Sequence, residues 1–215
     1  MGRRKKEPAH IHRERIASAA EALFAAKGVS VTSMDDIAKA AGYSKATLYV
    51  YFQNKEEIIG VLTLKSMEGL YECLSQALQS NKSMQEKYHL LCQALLQYSE
   101  DYPFYFKTVL EHINIDMEHS DCPKEDYETF HIGEKINHLL YDFLSEGIKS
   151  GIFRDDLVIL PTIFSFWGAL SGLIQLATNK ETYLLQELNQ TKQEFLNYGF
   201  TMFYRSIIKE EYHNE

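Results

Sequence analysis

Residues 32–52 read TSMDDIAKAAGYSKATLYVYF, and the spacing within this stretch decides the fold. Thr32 or Ser33 can cap a helix, and Asp35 or Asp36, close to one turn on, completes an imperfect capping box. The helix MDDIAKAA lasts about two turns before Gly42, which suits the left-handed position that ends a helix. Ser44 can then cap the next helix through its hydroxyl. Two helices joined by a short turn with glycine make a helix-turn-helix.

The second of these helices carries more aromatic surface than a small core needs. At about 100° per residue, Leu48 and Phe52 fall on one side, Ala46, Thr47 and Val50 on the other, and Tyr49 and Tyr51 on the flanks. Leu48 and Phe52 can anchor the helix against Ile37 and the first helix of the chain. The opposite, small-residue face can enter a major groove about 12 Å wide, where the Thr47 hydroxyl and methyl can read base edges. Ser44, Lys45, Tyr49, Tyr51 and Lys55 then stand at the height of the phosphates and can fix register. The competing reading, an aromatic core helix and no more, loses ground because turn, spacing and charge agree.

The charge is unevenly divided. Residues 1–55 hold ten Lys or Arg against five acids, a net of +5, whereas the rest holds 12 bases and 25 acids, a net of -13. A cationic head on an acidic body is the pattern expected when only the head meets a polyanion. The run Arg3 to Lys6 fits a solvated tail as well as an arm for the minor groove, and His10 and His12 read as tail residues.

Working outward, RERIASAAEALFAAKG (residues 13–28) spaces Ile16, Ala20, Leu23 and Phe24 for a first helix that stops at Gly28. Asn54 can cap a fourth, stiff helix whose apolar positions Ile59, Leu62, Met67, Leu70, Leu74 and Leu78 carry it to about residue 80. Further helices are expected at roughly 83–101, 103–116, 125–150, 156–178 and 185–210, with a loop at about 116–126. The chain therefore reads as all-α. Residues 1–54 read as a three-helix DNA-binding domain with a basic arm, followed by a helical body over 55–215.

TSMDDIAKAAGYSKATLYVYFQNKEE resembles the DNA-binding region of the tetracycline-repressor (TetR) family of bacterial regulators. The I-A-x-A-A-G-x-S turn is followed at the right distance by T-L-Y-x-Y-F and then K-E-E, and the likeness covers about residues 13–60. The resemblance implies that Thr47 and Lys45 approach bases and that Ser33, Tyr49, Tyr51 and Lys55 bind the DNA backbone. Tyr43 and Ala46 are also counted among the DNA-binding residues; Tyr43 stands where the family usually has a small apolar residue, and Ala46 where it often has glycine, and both departures bear on the operator sequence. The resemblance also implies a homodimer through the helices near 156–178 and 185–210. Such a dimer reads a palindromic operator on double-stranded DNA, with half-sites about one helical turn, or a multiple of it, apart.

The resemblance further implies that 55–215 is an effector-binding and dimerisation domain, whose small-molecule effector, largely hydrophobic or aromatic, would release a repressor from its operator. Tyr105, His112, Phe130, Trp167 and Gln175 are the candidate contacts in a ring-rich part of the body. Any one of those rings suits a packed core equally well, since pockets and cores are both mostly apolar. A body that binds a protein partner instead is the alternative.

Other classes find little support. His131 and His138 lie seven apart, two turns along one helix, too far to share an ion, so neither metal nor cofactor is expected. No G-x-S-x-G, H-E-x-x-H or glycine-rich phosphate loop suggests an enzyme. Residues 157–177 contain no charge and include Gly168-x-x-x-Gly172, which could mark a membrane span, but Thr162, Ser165, Ser171 and Gln175 and an early Pro161 favour burial in protein. Cys73, Cys92 and Cys122 are widely spaced and no apolar leader precedes them, so a cytoplasmic protein is expected.

Overall fold

Pro8, with φ -60°, opens the first helix, where its missing N–H forfeits no hydrogen bond. The structure, a computed structural model, describes residues 7–79, 81–106 and 123–212. Helix α1 runs Ala9–Lys27, so His10 and His12 lie on a helix and not in a tail. It is followed by α2 (Met34–Ala40), α3 (Lys45–Tyr51), α4 (Lys55–Leu78) and α5 (Met84–Asp101). Then come α6 (Lys124–Lys149), α7 (Ile159–Asn179), α8 (Glu181–Glu187) and α9 (Lys192–Ile207), with a 3-10 turn at Glu210–Tyr212. Residues 103–106 are helical; the remainder of the helix expected at 103–116 lies outside the described residues.

One long helix was expected over 185–210, and two short ones replace it. Asn189 adopts a left-handed φ of 51°, and Thr191 accepts from the Glu194 amide while Glu194 bonds back to the Thr191 amide. Asparagine tolerates that backbone and the reciprocal cap starts a fresh helix, neither of which apolar spacing reveals.

The described chain packs into two compact units, 1–67 with 114–130 and 68–113 with 131–215. In the first, α1, α2 and α3 pack together around Ile16, Ala20, Ile37, Leu48 and Phe52, all fully buried. In the second, α9 lies against α5, α7 and α8. The Tyr88 hydroxyl, on α5, donates to the Phe200 carbonyl at 3.0 Å, and burial pushes both its own pKa and that of the neighbouring Cys92 thiol upward, the thiol to about 12. Phe153 is fully buried, with its ring edge-on to Phe143 at 5.4 Å and Tyr204 at 6.2 Å. That ring lies so close to Gly147 that a Cβ there would collide with it. Among the described residues there is no strand, only an isolated antiparallel bridge between Phe153 and Ile208.

Reciprocal caps start three helices: Ser33 with Asp36, Ser83 with Glu86, and Thr191 with Glu194. The Lys27 ammonium and then the Ser33 amide and hydroxyl hold the Asp36 carboxyl well below its usual range. The Ser83 and Thr191 amides and hydroxyls lower Glu86 and Glu194 in the same way. A carboxyl depressed on folding contributes stability that is complete above its unfolded pKa and drains away as pH falls through the folded value. The thermal midpoint should therefore drop as pH is lowered from about 5 to 3. A Ser83→Ala, Thr191→Ala double variant should lose less over that interval, and equal losses would show that the caps do not contribute.

Candidate nucleic-acid interface

The turn between α2 and α3 is fixed by backbone geometry. Gly42 has φ 74°; its amide donates to the Lys39 carbonyl at 3.2 Å, and the Tyr43 amide reaches the Ala38 carbonyl at 2.8 Å. This is the Schellman pattern, which glycine enters without a Cβ penalty. Ser44 then caps α3, accepting from the Thr47 amide at 3.1 Å, and its hydroxyl lies 2.8 Å from the Thr47 hydroxyl.

Helix α3 is thereby held with two distinct sides. Leu48 and, just past the helix end, Phe52 are fully buried. Ala46 and Tyr49 are exposed, Val50 is 74% exposed, and Thr47 is half-buried beside its cap. Ser44 and Lys45 are exposed at the same end, where the Lys45 ammonium sits 2.9 Å from Asp35 Oδ1. That carboxylate raises the pKa of Lys45.

Other predicted contacts carry internal duties. The Ser33 hydroxyl is engaged with Asp36 in the α2 cap. Lys55 donates to the Val29 and Thr32 carbonyls at 2.7 and 3.0 Å, bracing the turn before α2 and leaving one of its three N–H donors. The Tyr43 hydroxyl is bonded to His12 Nδ1 at 2.7 Å and accepts from Arg15 at 2.8 Å. The Tyr51 ring stacks on His12, centroids 5.0 Å apart.

Arg13 was not foreseen in any role. Its guanidinium lies 4.3 Å over the Phe52 ring, donates to the Tyr51 carbonyl at 2.7 Å and pairs with Glu125 at 2.8 Å. It thus ties the end of α3 to α1 and to the first turn of α6. Partners 38 and 112 residues away leave no trace in local periodicity. A sequence signal existed only in the arginine itself, on an otherwise alanine-rich helix.

The five predicted ligand contacts do not gather around one cavity. Trp167 lines an apolar cavity of about 40 Å³ together with Tyr88, Phe143, Phe166 and Leu170. Gln175 borders a separate, more open cleft beside Ser99 and Phe106. Tyr105 is buried among Tyr102 and Phe104, Phe130 belongs to the other compact unit, and His112 lies outside the described residues. Among the described residues no group of His, Cys, Asp and Glu could hold a metal ion. Helix α7 is long and apolar enough to cross a bilayer, by length and composition alone.

The family model for bacterial regulatory proteins of the tetR family matches residues 16–62, the span from α1 into α4. The transcriptional regulator TtgR of Pseudomonas putida is 39% identical over 80 residues, 37% of this chain and 38% of that one, so the chain matches only about two fifths of that regulator's length. The match to IcaR of Staphylococcus epidermidis, a negative transcriptional regulator of a biofilm operon, is longer: 30% identity over 156 residues, 71% of this chain and 79% of IcaR. The solved structure of Bacillus subtilis FadR in complex with stearoyl-CoA shares the fold, with a TM-score of 0.66 over 89% of this chain and 97% of FadR at 20% identity. With the family's helix-turn-helix at its head and this likeness to IcaR along most of its length, the chain belongs to the tetR family of bacterial regulatory proteins, non-enzymatic DNA-binding regulators of transcription.

Proposed function

We propose that this protein is a homodimeric repressor that grips a palindromic operator with α3 and leaves it when a largely hydrophobic effector enters the body. The observation that carries the DNA half is the two-sidedness of α3: Leu48 is sealed inside while Ala46, Tyr49 and Val50 stand in solvent around Thr47. Residues 1–54 are the DNA-binding domain in this reading. Ser44, Lys45 and Tyr49 are exposed on the face that would meet DNA; Ser33, Tyr43, Tyr51 and Lys55 support the interface through the internal bonds described.

Residues 55–215 would form the effector-binding and dimerisation domain. Helix α7 exposes Leu160, Phe164, Gly168, Gly172 and Leu176 at four-residue spacing, and α9 exposes Tyr198 and Met202. An apolar stripe of this kind is stabilised by covering it, and its glycines let a second helix approach closely. A second copy would supply that cover and a second α3, which makes the operator palindromic.

The effector reading is supported by the apolar lining around Trp167 and by the fold shared with a stearoyl-CoA complex. Long-chain acyl-CoA is accordingly the first probe to try. The cavity's size favours a second reading: about 40 Å³ is far below the roughly 300–1,000 Å³ of ligand sites, so the body could instead take a protein partner on its surface.

The operator can be found by selecting bound duplexes from a random pool. On that site Thr47→Ala should cost about 1–3 kcal/mol and relax preference at one or two base pairs. Wild-type affinity, or an equal weakening on all sequences, would place Thr47 away from base edges. Effector coupling should change operator affinity by about 1–3 kcal/mol; a ligand that binds the body and leaves operator affinity unchanged would end the switching model.

A further inference from the structure

We propose that Asp35 is a positioning residue that sets DNA specificity, by steering the Lys45 ammonium toward base edges and away from phosphates. The inference rests on the reading that α3 enters the groove and that Lys45 stands at the DNA face.

Asp35 is the second residue of α2 and Lys45 the first of α3. The Gly42 turn brings them together, with Lys45 Nζ 2.9 Å from Asp35 Oδ1. Oδ1 is closed off from water, and the Lys45 ammonium is its charged partner. The side chains around it remain open, 61% exposed for Lys45 and 48% for Asp35.

The other acid–base pairs near this surface have additional duties. Asp36, paired with Lys27, also closes the α2 cap. Arg15, paired with Glu7, also holds the Tyr43 hydroxyl. Asp35 closes no cap and holds no hydroxyl among the described residues; its one charged partner there is the lysine that opens α3.

Lysine offers three N–H donors. One can stay with Asp35 while the others reach the O6 and N7 acceptors of guanine, so a specific complex keeps the pair and gains from a side chain already held in place. A phosphate contact differs. The ammonium must swing away from Asp35, and the carboxylate repels the phosphate that replaces it. The acid therefore costs non-specific complexes an attraction that the specific complex does not need, and specificity is the difference between the two.

The test compares wild type with Asp35→Asn on a mixed-sequence duplex and on the selected operator, across a salt series. For Asp35→Asn, non-specific affinity should rise about two- to fivefold at low salt, the range an exposed ion pair spans. The slope of log affinity against log salt should steepen by about 0.9, one more phosphate neutralised. Operator affinity should stay level or fall. A loss of fold alone would not steepen the slope, and melting curves will show whether the variant folds.

Glu14→Gln, an exposed acid on α1, removes the same unit of charge and should leave the slope unchanged. Adding Lys45→Met to Asp35→Asn should abolish the gain. An equal gain from Glu14→Gln, persistence of the gain without Lys45, or an unchanged non-specific slope for Asp35→Asn would each overturn the proposal. If Lys45→Met alone alters binding to neither duplex, the failure lies instead with the placement of Lys45 at the DNA face, and the proposal goes with it.

Discussion

Phe52→Ala is expected to abolish duplex binding by unfolding the N-terminal unit, at a cost of about 3–5 kcal/mol. The ring is fully buried at the point where the chain leaves α3 in extended conformation, φ -142° and ψ 125°. It also carries the Arg13 guanidinium on its face at 4.3 Å. Truncation therefore opens a cavity and removes a cation–π contact together. A whole domain is stable by only about 5–15 kcal/mol, so a three-helix head can hardly survive the change. Circular dichroism during urea unfolding, with a mobility-shift titration alongside, measures both effects. Operator binding at wild-type affinity would mean that Leu48 alone suffices to hold α3.

Phe153→Ala should be comparably severe for the other unit, again about 3–5 kcal/mol. Its ring fills the space that Gly147 leaves by having no side chain, and it meets Phe143 and Tyr204 edge-on. On either side of it the backbone is pinned: the Arg154 amide donates to the Ile207 carbonyl at 2.9 Å and the Lys209 amide to the Ile152 carbonyl at 3.0 Å. Those bonds limit collapse into the hole, which keeps the cost near the top of the range. Gly147→Ala attacks the same joint from the opposite direction by overpacking, at about 1–3 kcal/mol. Thermal melts of both variants give the comparison, and a midpoint unchanged for Phe153→Ala would show that the interior repacks freely there.

The helix-turn-helix was legible because its evidence is local. Ser33, Gly42 and Ser44 act on backbone groups within five residues, and each does in the structure what its residue type suggests. The burial of Leu48 and Phe52 followed in the same way from helical spacing. What escaped was non-local or non-periodic. Nothing in the neighbourhood of Lys55 announces that its ammonium will brace carbonyls 23 and 26 residues earlier. Nor does the local sequence around Tyr43 announce that its hydroxyl will be held by His12 and Arg15, on another helix. The break at Asn189 shows the converse: the cues for a new helix were local but polar, and a reading led by apolar period passed over them. Aromatic richness in the body was least informative, since it predicted rings in contact without saying which of them border empty space.

If the proposed effector enters beside Trp167, the small size of the space there has a consequence for dose. A space of about 40 Å³ admits about three water molecules, so in that reading a guest of useful size would first need an expanded form of the body. If that form is one molecule in about a hundred, the apparent dissociation constant weakens by about a hundredfold relative to the intrinsic one. A sensor built this way would disregard traces and answer only to abundance. Trimming a side chain that lines the void would then lower the threshold at which it fires.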